Sequence, residues 1–254
     1  SSSGTQKIED NTTVQTLIKV NQGKYFNKDG SLWKRDSNGS ESLVSARVSG
    51  NKFFEFRGET YFAGADSNNS VELWKTNGTD ATTTLVKELY PGITQGTYYY
   101  PYTQAYSYVN SGNPANFFSL GNQFYFSATN GLGTELWRSD GTEQGTVMVK
   151  DIYPGSTTDS SSLVTTQNAS APHNFLMIKD ELHFIATDAN GTSLWKTNGE
   201  ANGTVVVSFI KPGQLSGTRS RILSILGSNL IFSSNESASP YGSELHVTNI
   251  TINS

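Results

Sequence analysis

The chain has no cysteine among its 254 residues. That excludes disulfides, thiolate-bound zinc and cysteine nucleophiles. Charge is scarce too: Asp, Glu, Lys and Arg make up 16% of the residues, against about 25% in ordinary soluble domains. The 18 basic and 22 acidic side chains leave a net charge of −4, so there is no basic footprint for nucleic acid or anionic lipid. No apolar run approaches the roughly 18 residues of a helical membrane span, and no membrane insertion is expected. No window carries a capped stripe at 3.6-residue spacing, which predicts almost no helix. The opening Ser1-Ser2-Ser3-Gly4 lacks the charged-then-apolar pattern of a signal peptide. Surface polarity must come from Ser, Thr, Asn, Gln and Gly. That uncharged polarity, with long polar loops, points to a secreted or cell-surface protein.

What the chain does have is a recurring phrase. It reads Ser31-Leu32-Trp33-Lys34, Glu72-Leu73-Trp74-Lys75, Glu135-Leu136-Trp137-Arg138 and Ser193-Leu194-Trp195-Lys196, and it ends as Glu244-Leu245-His246-Val247. All four tryptophans lie in these phrases. A phrase repeating at this spacing marks a repeat architecture. Around each phrase stand short runs of β-branched and aromatic residues, separated by Gly, Asn, Asp and Pro. That is the pattern of an antiparallel meander. In the third unit the runs are 116–120, 123–128, 134–138 and 147–152. Unit one has 16–20, 24–27, 31–35 and 42–48, and unit two has 52–56, 59–63, 71–76 and 83–89. Unit four has 174–178, 181–186, 193–197 and 204–210.

Unit five offers only three runs, 221–226, 229–233 and 243–251, and then the chain ends. Residues 4–10 resemble the missing fourth strand. These observations predict one all-β domain, a five-bladed β-propeller of four-stranded antiparallel blades. The expected blades are residues 13–50, 51–92, 116–155, 173–213 and 219–254, the last completed by a strand at 4–10. That strand comes from the same chain, giving a closed monomer, or from a neighbouring subunit, giving a head-to-tail filament. The Leu and Trp of each phrase point to opposite sheet faces, so both are expected between blades. The Asn/Asp-Gly-Thr after the phrase reads as turn chemistry.

The run from Glu135-Leu136-Trp137-Arg138-Ser139-Asp140-Gly141-Thr142 through Gly145-Thr146-Val147-Met148-Val149-Lys150-Asp151-Ile152-Tyr153-Pro154-Gly155 resembles the ELWxxDGT repeat. Unit two is similar over 72–79 and 85–92. Unit four departs at Ser193 and at Ser208-Phe209, and units one and five are degenerate. The resemblance implies a propeller-like array in a bacterial extracellular or surface setting. It implies no catalytic residues.

A glycoside hydrolase on such a fold would need a pair of carboxylates at its axis. The expected innermost strands supply only Glu55, beside one ammonium, Lys19. His173, His183 and His246 are scattered, and no phosphate-binding glycine loop is present. No catalytic residue, cofactor or metal is therefore expected. The tips Asp66-Ser67-Asn68-Asn69 and Asp188-Ala189-Asn190-Gly191 offer oxygens to Ca²⁺ but read first as polar hairpin turns.

The largest break in the repeat is 93–115. It holds Tyr98, Tyr99, Tyr100, Tyr102, Tyr106 and Tyr108, half of the 12 tyrosines. Tyrosine buries a large area at low entropic cost and keeps a hydroxyl for hydrogen bonds, so this loop is the expected contact surface. A second break, 156–172, is Ser/Thr-rich and reads as a mobile or glycosylated loop. Nine Asn-x-Ser/Thr patterns occur, among them Asn11, Asn38, Asn168 and Asn235. The expected function is a non-enzymatic structural or adhesion protein whose partners are other copies of itself or surface glycans. The alternatives are a multivalent lectin and, further off, a glycoside hydrolase.

Overall fold

The computed structural model describes residues 23–98, 104–159, 165–178, 180–209, 221–226, 229–235 and 243–249. Within them the chain is all-β, with a single 3-10 turn at Asp80–Thr82. Unit one comprises β1 (Lys24–Lys28), β2 (Ser31–Arg35) and β3 (Glu41–Ser45). Unit two comprises β4 (Ser49–Phe56), β5 (Glu59–Ala65), β6 (Val71–Thr76) and β7 (Thr84–Lys87). A hairpin follows, β8 (Ile93–Tyr98) with β9 (Gln104–Val109). Unit three comprises β10 (Ala115–Leu120), β11 (Gln123–Asn130), β12 (Gly133–Ser139) and β13 (Val147–Lys150). Another hairpin follows, β14 (Ser156–Thr158) with β15 (Thr165–Gln167). Unit four comprises β16 (His173–Ile178), β17 (Glu181–Asp188), β18 (Gly191–Thr197) and β19 (Val205–Phe209). Unit five comprises β20 (Arg221–Leu226), β21 (Asn229–Asn235) and β22 (Ser243–Asn249). Each unit is its own antiparallel sheet with strands in chain order. The expected strands at 4–10 and 16–20 lie outside the described residues. Both inserted segments were expected as loops and are instead hairpins.

The units share register as well as strand order. Each tryptophan of the phrase stands opposite a phenylalanine: Trp33 opposite Phe26, Trp74 opposite Phe62, Trp137 opposite Phe126 and Trp195 opposite Phe184. In unit five His246 stands opposite Phe232. In units one to four the pairing with the last strand slips by one residue between the Leu and the Trp. Such a bulge increases local twist.

The sheets of units one to four pack face to face in succession, because each has two apolar faces to cover. The Leu of a phrase points toward the next unit and its Trp toward the previous one. Leu32 and Tyr25 of unit one pack with Phe53 and Phe62 of unit two, with Trp74 against them. Leu73 and Tyr61 pack with Phe124, Phe126 and Trp137. Leu136 and Tyr125 pack with Leu182, Phe184 and Trp195. All four leucines are fully buried. Burying each such side chain contributes about 1.5–3 kcal/mol, and this alone accounts for the recurrence of Leu and Trp. The first strands β4, β10 and β16 run beside one another along this series.

A second device links consecutive units. The Gly of each Asn/Asp-Gly turn has positive φ: Gly78 104°, Gly141 94° and Gly199 92°. A tyrosine of the preceding unit lies against each. A Cβ on Gly78 would stand 3.0 Å from the Tyr25 hydroxyl, and one on Gly199 2.6 Å from that of Tyr125. A Cβ on Gly141 would collide with the Tyr61 hydroxyl. Glycine is thus required twice over, by conformation and by the tyrosine beside it.

Candidate interaction surface

The residues that build this surface begin with the glutamate of the phrase. Glu135, at the start of β12, is fully buried. Its Oε2 accepts the Ile152 amide at 2.8 Å and the Ser170 hydroxyl at 2.5 Å, and its Oε1 accepts the Ser170 amide at 3.0 Å. Glu72 repeats the arrangement. Its Oε2 accepts the Leu89 amide at 2.6 Å, and its Oε1 accepts the Gly112 amide and the Ser70 hydroxyl, each at 3.0 Å. Each carboxylate therefore ties the exit of its own sheet to the segment returning from the insertion. Burial raises both carboxyl pKa values, and the donated hydrogen bonds oppose that rise only in part. Held by two main-chain amides and one serine hydroxyl each, these carboxylates anchor the insertions.

The two hairpins are strapped at the base in the same way. Asn110 donates its amide to the Gly92 carbonyl at 3.0 Å and its Nδ2 to the Pro91 carbonyl at 3.1 Å, while Thr94 donates to its Oδ1 at 2.5 Å. Asn168 donates its amide to Gly155 at 2.9 Å and its Nδ2 to Pro154 at 3.1 Å, and accepts from Thr157 at 2.8 Å. The sequence signal is a shared frame, Pro-Gly-x-Thr before each hairpin and Asn-x-Gly/Ser after it. It was hidden because the segments between these frames differ in length and composition.

Of the six tyrosines, Tyr99, Tyr100 and Tyr102 lie outside the described residues. Tyr98 ends β8, its backbone paired with Gln104. Tyr106 and Tyr108 share one face of β9, their rings 6.0 Å apart and within 4° of parallel. Tyr108 is 55% exposed. The opposite face presents Ile93, 62% exposed, paired with Val109.

Asn11 lies outside the described residues. Asn38 sits exposed in the β2–β3 turn, where its amide bonds Asp36. Asn168 is the strap already described, and Asn235 closes β21 opposite Ser243. Asp66 and Asp188 each use Oδ1 to accept the amide two residues on, closing an Asx turn. Among the described residues no three His, Asp or Glu side chains gather as metal ligands. Glu55 lies on β4 opposite Thr60, and Lys19 lies outside the described residues.

His183 is the exception among the inter-unit tyrosines. It occupies the position of Tyr25, Tyr61 and Tyr125, opposite the basic residue after the Trp. It is buried, with Nδ1 3.0 Å from the Glu181 carbonyl oxygen. Burial lowers its pKa below the usual 6.5; the Glu181 carbonyl and carboxylate act against that, and the Lys196 charge adds to it. A depressed imidazole stabilises the fold above the unfolded-state value, and that contribution is lost as pH falls through the folded-state value. Stability is therefore expected to decline as pH drops below about 6.5. Thermal melts from pH 7.5 to 5 should show this acid limb in the wild type and a flatter one in His183→Phe. Equal slopes would dismiss the assignment.

No protein-family model and no curated protein sequence matches the chain. Among solved structures, Kuenenia stuttgartiensis hydrazine synthase is similar with a TM-score of 0.42 and 12% identity, over 89% of this chain and 34% of that one. A prolyl endopeptidase gives 0.24 and 11%, over 94% of this chain and 50% of that one. A puromycin hydrolase mutant gives 0.23 and 11%, over 90% and 51%. The chain thus spans between a third and about half of each of these structures. At TM-scores below 0.5 these likenesses assign it neither a closed architecture nor an activity.

Proposed function

We propose that this chain is a secreted or cell-surface, non-enzymatic structural or adhesion protein: a five-bladed propeller, similar to the ELWxxDGT repeats, that carries contact hairpins toward other chains or glycans. One observation carries the reading. Each recurring residue of the phrase is consumed in assembly. The Glu is held by main-chain donors, the Leu and Trp fill the inter-sheet cores, and the Gly makes room for a tyrosine. Repetition thus serves the scaffold, and what varies is the insertions.

Closure into a ring has support of its own. In an open stack the Phe26–Trp33 face of unit one would lie bare. Phe26 is only 6% exposed. Open sheet faces and edges are what a ring removes.

Deleting residues 1–10 tests the closure. A closed monomer predicts an unchanged size and a lower melting temperature. Strand exchange predicts loss of a polymer, restored by the free peptide. Unchanged size and melting together would reject the N-terminal strand in both forms. Glycosidase turnover abolished by Glu55→Gln would reject the non-enzymatic reading.

A further inference from the structure

We propose that β9 is a docking edge for the β9 of a second copy of this chain, paired antiparallel about a two-fold axis through Ser107. The proposal deepens the reading of a contact-holding surface protein and rests on it. Four observations carry it. First, residues 89–134 contain no Asp, Glu, Lys, Arg or His, in a chain otherwise charged throughout. Second, β8 and β9 form a sheet of two strands among the described residues, and Ala105, Ser107, Tyr108 and Val109 of β9 are exposed. An isolated pair of strands is marginal in water. Third, natural edges are blunted by charge, proline or a bulge. β9 has no charge and no proline, and its register with β8 is unbroken. Fourth, the ribbon is held at its base by Asn110, so its edge is presented in a fixed position.

The second copy is favoured because β9 complements itself. Pairing about Ser107 sets Tyr106 of one copy opposite Tyr108 of the other, twice, and extends the parallel pair of rings to four. It also sets Ala105 opposite Val109. No charge is buried or opposed anywhere along the strand. The β8 edge is the poorer template, because Gly96 interrupts it. A six-residue strand is about 20 Å long, so the contact falls below the roughly 1,000 Å² of a stable interface. It is a weak, isologous contact that gains strength when many copies stand on one surface.

The absence of cysteine makes the test clean. Ser107→Cys places a lone thiol on the axis, and Gln95→Cys places one on the β8 edge. Under mild oxidation the Ser107→Cys chain should form disulfide dimers roughly tenfold faster, since pairing raises the local thiol concentration. Sedimentation of the wild type should show concentration-dependent dimers, lost in Tyr108→Lys at an unchanged melting temperature. Equal crosslinking rates, or dimers that survive Tyr108→Lys, would each overturn the proposal. So would a monomer at every concentration that binds a neutral polysaccharide through Tyr108, which would name a glycan as the occupant. Crosslinking that persists after deletion of residues 1–10 supports it even where the N-terminal strand reading fails.

Discussion

Glu135→Ala is expected to cost about 3–5 kcal/mol of unfolding free energy. The variant removes the acceptor for the Ile152 amide, the Ser170 amide and the Ser170 hydroxyl together. Ser170 is buried, as is Ile152, so water does not readily replace the carboxylate. An unpaired buried donor costs about 1–3 kcal/mol, more where its partner was charged. Glu135→Gln should lose less, about 1–3 kcal/mol, because its NH₂ must face one of the donors that an oxygen now accepts. The pH dependence separates the two effects. A carboxyl with a raised pKa contributes stability that is full below the ordinary value and is lost as pH rises through the folded value. The wild type should therefore lose stability with rising pH by a slope that Glu135→Gln reduces. Denaturant titration gives the energies, and amide exchange at Ile152 and along β14–β15 shows where the structure loosens. A loss under about 1 kcal/mol with Ile152 still protected would mean the carboxylate does not hold the hairpin.

Unit four supplies a natural comparison. Ser193 stands where Glu72 and Glu135 stand, and its buried hydroxyl has no hydrogen-bond partner among the described residues. The two hairpins follow units two and three, which carry Glu72 and Glu135, while unit one, with Ser31, runs directly into β4. In units one to three the glutamate and the hairpin thus travel together.

Much of the scaffold was legible in the sequence because its signals are local. The phrase, the Gly/Asn punctuation and the strand-length aromatic runs marked the four strands of units two, three and four and the three described strands of units one and five. The opposite directions of Leu136 and Trp137 followed from strand geometry. What escaped was long-range. Glu135 at the head of a strand reads as an ordinary polar residue; only its partners at Ile152 and Ser170 make it a clamp. The β8–β9 ribbon gave no alternating signal, since both its faces are open and Gly96 breaks the run. Gly141 read correctly as a turn residue, but its second constraint comes from Tyr61, a whole unit earlier.

That second constraint makes a double-mutant experiment possible. Gly141→Ala is expected to destabilise the protein by about 2–4 kcal/mol. Part is backbone strain, because alanine resists a φ of 94°. Part is the collision of the new Cβ with the Tyr61 hydroxyl. Tyr61→Phe removes that hydroxyl, and the nearest ring atom would then lie 3.2 Å from the Cβ. The single Tyr61→Phe change should cost about 1 kcal/mol, through the hydrogen bond from Tyr61 to Glu59 at 3.1 Å. In the double variant the collision is gone while the strain remains, so the losses should fall short of additivity by about 1 kcal/mol or more. Gly39→Ala is the control: its φ is 87°, and no atom lies within 4 Å of the added Cβ. It should show the strain alone, unaffected by Tyr61→Phe. Strict additivity at Gly141, measured by denaturant unfolding, would mean that the turn glycine answers to its own backbone and that the tyrosine does not couple one unit to the next.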